Sequence, residues 1–144
     1  MKKLLALTLA IIMALGCTFC LFSCSNDAEI AKKIPGVYEM TDISGYIKQG
    51  ASTVELTKEL YDYYTITLNE DGTALIESKG NGVVYDEEGT WKYEGGKLKL
   101  TSAPSGISVV EEMEWKDDVI TYKTKQSLGG GDSIEMNMTL TKKQ

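Results

Sequence analysis

From Pro35 to the C-terminus the chain is a succession of short segments in which apolar and polar residues alternate, parted by turn-forming residues. Alternation at period two puts one side of a segment on a core and the other in water, which is the pattern of a strand. It is plain in residues 36–43, in Tyr64-Thr65-Ile66-Thr67-Leu68, in Lys97-Leu98-Lys99-Leu100 and in residues 134–140. Residues 73–78, 83–86, 89–93, 107–115 and 119–125 fill the intervals. The turns fall at Asn69-Glu70-Asp71-Gly72, Lys79-Gly80-Asn81-Gly82, Glu94-Gly95-Gly96 and Lys116-Asp117-Asp118. A parallel sheet needs a long crossover between strands, and none is available. Sequential links at a spacing of roughly 8–12 residues predict an all-β domain, an antiparallel up-and-down barrel of eight or nine short strands. One interruption is expected. Ser52-Thr53-Val54-Glu55 has the spacing of a capping box, and Leu56, Leu60 and Tyr63 share a helical face. This predicts one short helix over 53–61, after the first strand.

The N-terminus has a different grammar. Met1-Lys2-Lys3 is positive, residues 4–15 are almost wholly apolar, and small residues follow, the order that a secretory signal requires. Leu21-Phe22-Ser23-Cys24 resembles the bacterial lipobox, which implies cleavage before Cys24 and acylation of its thiol. Cys17 is the competing site, but cleavage there leaves an apolar start, whereas Ser25-Asn26-Asp27-Ala28-Glu29 is polar. An uncleaved anchor over 4–22 is the other alternative. The expected organisation is a lipoprotein signal peptide at 1–23, a tether at 24–34 and a barrel domain at 35–144. Its expected place is the extracytoplasmic face of the cell membrane, with the bilayer engaged through acylated Cys24.

Composition removes whole classes of chemistry. The chain has 21 acidic against 15 basic residues, no His and, in its whole length, no Arg. An acidic chain without Arg is not expected to bind nucleic acid. Without His there is no Ser–His or Cys–His nucleophile and no imidazole metal ligand. All three cysteines, Cys17, Cys20 and Cys24, lie near the N-terminus, so the barrel is expected to hold no disulfide and no thiol nucleophile. No cofactor is expected.

Four features of the domain carry a further resemblance: the opening Gly36-Val37-Tyr38, the hairpin Leu68-Asn69-Glu70-Asp71-Gly72-Thr73, Gly89-Thr90-Trp91, and Lys97-Leu98-Lys99-Leu100. Together they resemble the small lipocalin-like domains of bacterial lipoproteins, over about 36–141, with Tyr38 where the family has Trp. The resemblance implies a small antiparallel barrel and says little of function, because fold does not fix function.

The candidates for a site come from alternation. Tyr38, Ile66, Leu68, Trp91, Tyr93, Leu98, Leu100, Met113, Trp115, Ile120, Tyr122, Met136, Met138 and Leu140 are expected to face inward. They are first of all a core. If the barrel holds a pocket, Tyr38, Trp91, Trp115 and Tyr122 line it, since aromatic side chains offer apolar area with a polar handle. Glu111 shares a face with Val109, Met113 and Trp115, so alternation points its carboxylate inward unless a bulge intervenes. The acidic runs at 86–88, 111–114 and 117–118 read as solvated turns and strand edges. Ser127–Asp132 precedes a strand and reads as a flexible connection, not a phosphate loop. The expected function is a non-catalytic binding or interaction module for a small apolar ligand, an envelope glycan or an envelope protein. An envelope hydrolase using a carboxylate pair is the alternative.

Overall fold

A computed structural model describes residues 26–144; the signal segment and Cys24 lie outside the described residues. The strands are β1 (Gly36–Gln49), β2 (Ser52–Glu55), β3 (Tyr63–Leu68), β4 (Thr73–Gly80), β5 (Val83–Glu94), β6 (Lys97–Ser102), β7 (Val109–Lys116), β8 (Val119–Gly129) and β9 (Asp132–Lys142). All pairings are antiparallel. The order is β2-β1-β3-β4-β5-β6-β7-β8-β9, and β1 also pairs with β9. Eight strands thus close into an up-and-down barrel, and β2 is an extra strand laid on the far half of β1. This is the predicted fold.

The turns explain the closure. Asn81-Gly82 and Asp117-Asp118 hold positive φ at both positions, the two-residue geometry whose twist matches a hairpin. At Asn69–Gly72 the Asp71 carboxylate accepts bonds from the backbone N–H and the hydroxyl of Thr73, at 2.9 and 2.6 Å, which fixes that turn.

The short helix after the first strand is a single 3₁₀ turn at Lys58–Leu60, and the earlier part of the span 53–61 is not helical. Ser52–Glu55 pair with Tyr46–Gln49 as β2. Ladder bonds to β1 and burial of Leu56 outweigh the weak local preference of a capping box.

The fourteen side chains expected to face inward are all buried or packed against the core. Ile34, Met40, Ile43, Leu56, Ala74 and Ile76 join them. A bulge explains Ile43. Met40 pairs with Leu140 but Asp42 with Thr139, so Thr41 is an extra residue and the parity of β1 flips there. Asp42 turns outward, and Ile43 and Ile47 turn in.

One end of the barrel is plugged. Residues 26–31 are helical, Ile30 packs on the core, and Ile34 is fully buried. The Gly95 N–H donates to the Asp27 carboxylate at 2.8 Å, so this segment lies across the β5–β6 turn. From residue 26 onward, the stretch read as a tether is part of the folded unit.

Candidate functional site: the open mouth of the barrel

The opposite end is built differently, because its walls have unequal heights. β5 pairs with β6 only over Gly89–Glu94, and β7 with β8 only over Glu114–Lys116. The β4–β5 and β8–β9 hairpins therefore overtop the shorter β6–β7 pair. β1 and β3 also separate beyond Glu39, but there β2 and the 3₁₀ turn fill the gap with Leu56, Leu60 and Tyr61. Val54, Val83, Ile107, Val110 and Leu128 stand exposed around this mouth, Ile107 at 70% and Val83 at 67%.

Alternation places Tyr64 of β3, Tyr85 and Glu87 of β5, Glu111 of β7 and Tyr122 of β8 on the inner face. Glu87 pairs across the ladder with buried Ile76, and Glu111 with buried Leu100. The β6–β7 ladder runs through Glu111 without a bulge, so its carboxylate points in. The Tyr122 hydroxyl donates to Glu111 Oε1 at 2.9 Å, bridging β8 to β7 where their backbones no longer pair. The Tyr85 hydroxyl donates to Glu87 Oε2. Tyr61 and Tyr64 meet edge to face with ring centroids 6.2 Å apart.

These groups sense one another. Burial, then the charge of Glu111, pushes the Tyr122 phenol up to about 12. Tyr64 is raised by burial and then by Glu111. Tyr85 is raised chiefly by its hydrogen bond to Glu87, with burial and the charges of Glu87 and Glu111 following. Glu111 thus bears on all three phenols, Tyr64, Tyr85 and Tyr122. Glu87 Oε1 is buried and has no hydrogen-bond partner. Neither Glu87 nor Glu111 joins any ion pair among the described residues. No group of three or more metal-ligating side chains occurs among them either. Beside the mouth, Ile47, Val54, Leu60, Tyr61, Val83 and Tyr85 line a mostly apolar cleft of about 300 Å³.

The residues predicted to line a pocket fall into three places. Tyr38 and Trp115 are joined at the plugged end, where Trp115 Nε1 donates to the Tyr38 hydroxyl at 2.9 Å and that hydroxyl donates to the Ile34 carbonyl at 2.6 Å. Trp91 lies near the same end, donating to the Asn69 carbonyl at 2.8 Å and lining a cleft of about 660 Å³ with Ala31, Pro35 and Gly72. Only Glu111 and Tyr122 meet in the mouth. Glu87, Tyr64 and Tyr85 join them there, beyond the residues expected from the sequence. Counting by twos back along β5 from Tyr93 and Trp91 reaches Glu87 and Tyr85, but the exposed acids on either side of Glu87 hide the pattern.

No protein-family model matches the chain, and no curated protein shows significant similarity to it.

Proposed function

We propose that this is an extracytoplasmic lipoprotein, acylated at Cys24, whose barrel is a non-catalytic binding module with its ligand site in the open mouth. The resemblance of its sequence to the lipocalin-like domains of bacterial lipoproteins supports the first part. The likeness of Leu21-Phe22-Ser23-Cys24 to the lipobox supports acylation at Cys24 as the anchor; among the described residues no helix is long and apolar enough to cross a membrane, and the alternative anchor over 4–22 lies outside them. The chain enters at the plugged end, so an anchor there holds the mouth away from the bilayer. Replacing Cys24 by Ser is expected to abolish incorporation of a labelled fatty acid, and label lost in Cys17→Ser instead would overturn the assignment.

Of the expected partners, a small amphipathic molecule fits best. The single observation that carries this is the pair of inward carboxylates, Glu87 and Glu111, set among phenols and in no ion pair among the described residues. An apolar body would lie on Ile47, Val54 and Val83, and a cationic head would meet the carboxylates and the tyrosine faces. Titration calorimetry with octylammonium and with octanoate tests this. Octylammonium is expected to bind, octanoate not, and Glu111→Gln to weaken binding about tenfold. Equal binding of both would refute the reading. Tryptophan emission is a poor reporter, since Trp91 and Trp115 both lie toward the plugged end.

One observation favours a second reading, a hydrolase: Glu87 and Glu111 share the inner face, as an acid–base pair would. It predicts glycan cleavage that is lost in Glu87→Gln or Glu111→Gln; the binding reading predicts none in the native protein.

A further inference from the structure

The flank of the mouth carries an unpaired strand edge. β5 pairs with β4 from Val83 to Thr90, but with β6 only from Gly89 onward. In an antiparallel ladder, alternate residues send their N–H and C=O to opposite sides. The two-residue turn at Asn81-Gly82 makes Gly80 and Val83 a hydrogen-bonded pair, so Val84, Asp86 and Glu88 aim their backbone groups away from β4. No backbone group among the described residues bonds to them from that side. Their side chains are exposed, Val84 at 61%. Such a row of solvated donors and acceptors is a template for another strand.

We propose that the Val83–Glu88 edge of β5 takes up an extended basic polypeptide segment as an added strand. Backbone pairing defines the class of partner, since an acyl chain or a glycan does not present the alternating amide donors and acceptors of this edge. Charge defines its composition. Asp86 and Glu88 stand exposed on this edge, and neither joins an ion pair among the described residues. The same acids disfavour pairing between the β5 edges of two copies, because like charges would stand opposite one another. Another open edge, the far half of β8, carries Lys123 and Lys125. Pairing of that edge with β5 of a second copy is matched in charge, but it is head-to-tail and builds rings or filaments. This inference stands apart from the small-molecule reading of the mouth.

Hydrogen exchange on the full chain in detergent micelles tests it, with three probes: an alternating Lys–Val peptide, its Glu–Val counterpart, and the Lys–Val peptide N-methylated at alternate residues. At a Lys–Val concentration about ten times Kd, the amides of Val84, Asp86 and Glu88 are expected to exchange about tenfold more slowly. Glu–Val is expected to give no protection. The N-methylated peptide keeps the charge but loses the backbone donors, and is expected to give none either. Asp86→Lys with Glu88→Lys should abolish the effect of Lys–Val. Equal protection by the N-methylated or the acidic peptide, or none by Lys–Val, would overturn the proposal. Sedimentation of the protein alone is expected to show no growing oligomers; assembly that is lost in Lys123→Glu would assign the edge to a second copy instead.

Discussion

The indole Nε1 of Trp115 donates to the hydroxyl of Tyr38 at 2.9 Å, a bond from the C-terminal end of β7 to the N-terminal end of β1 across the plugged end. The hydroxyl passes the chain on to the Ile34 carbonyl at 2.6 Å, in a place from which water is excluded, Tyr38 and Ile34 both being 0% exposed. Three polar groups on three separate elements thus satisfy one another. Tyr38→Phe removes the middle member and leaves an indole N–H and a buried carbonyl unpaired, at an expected cost of about 1–3 kcal/mol. Urea denaturation measures it. An unchanged midpoint would mean that the two outer groups find other partners.

The segment before β1 is expected to matter as much as a strand does. Ile34 is buried, and Lys142 Nζ donates to the neighbouring Lys33 carbonyl at 2.8 Å. Ile34→Ala should cost about 2–5 kcal/mol, the range for emptying a fully buried aliphatic site. A loss below about 0.5 kcal/mol, the level of an ordinary surface change, would mean the segment is a tether only.

Alkaline pH should weaken the fold through its buried phenols. Burial holds Tyr38 up to about 12, and Tyr122 lies at about 12 as well. An unfolded tyrosine titrates near 10. Below about pH 10 both states keep the proton, and stability does not depend on these groups. Between about 10 and 12 the unfolded chain releases protons that the folded one retains, so stability falls as pH rises. Each phenol contributes up to about 1.4 kcal/mol per pH unit. Urea midpoints and the phenolate absorbance, followed together against pH, check this. Tyrosines that all ionise near 10 in a folded chain would contradict it.

The barrel was legible because its signal is repeated: each strand carries period-two alternation, and each turn carries residues that tolerate its backbone. What was hidden depends on contacts between distant segments. The bulge at Thr41 has no mark in the sequence, yet it decides that Ile43 and not Asp42 faces the core. A Cβ at Gly45 would lie 2.0 Å from the Glu135 carbonyl oxygen, so only glycine lets β9 pass so close. The capping-box spacing at 52–55 was overridden by pairing with β1. Of the candidate site, Glu111 and Tyr122 were visible through alternation along β7 and β8. Trp91, Trp115 and Tyr38 were visible as inward residues, but alternation says nothing about which end of a barrel a residue occupies. That depends on where each strand starts and on the stagger between neighbours.

The central claim is that the mouth holding Glu87 and Glu111, and not the Trp91 cleft, is where a ligand sits. Amide chemical-shift mapping with octylammonium addresses it directly. The account predicts shifts at Tyr64, Tyr85, Glu87, Glu111 and Tyr122, and none at Ala31, Gly72 or Trp91. Shifts confined to the Trp91 cleft, or a mouth that shows no change while the ligand binds elsewhere, would contradict it.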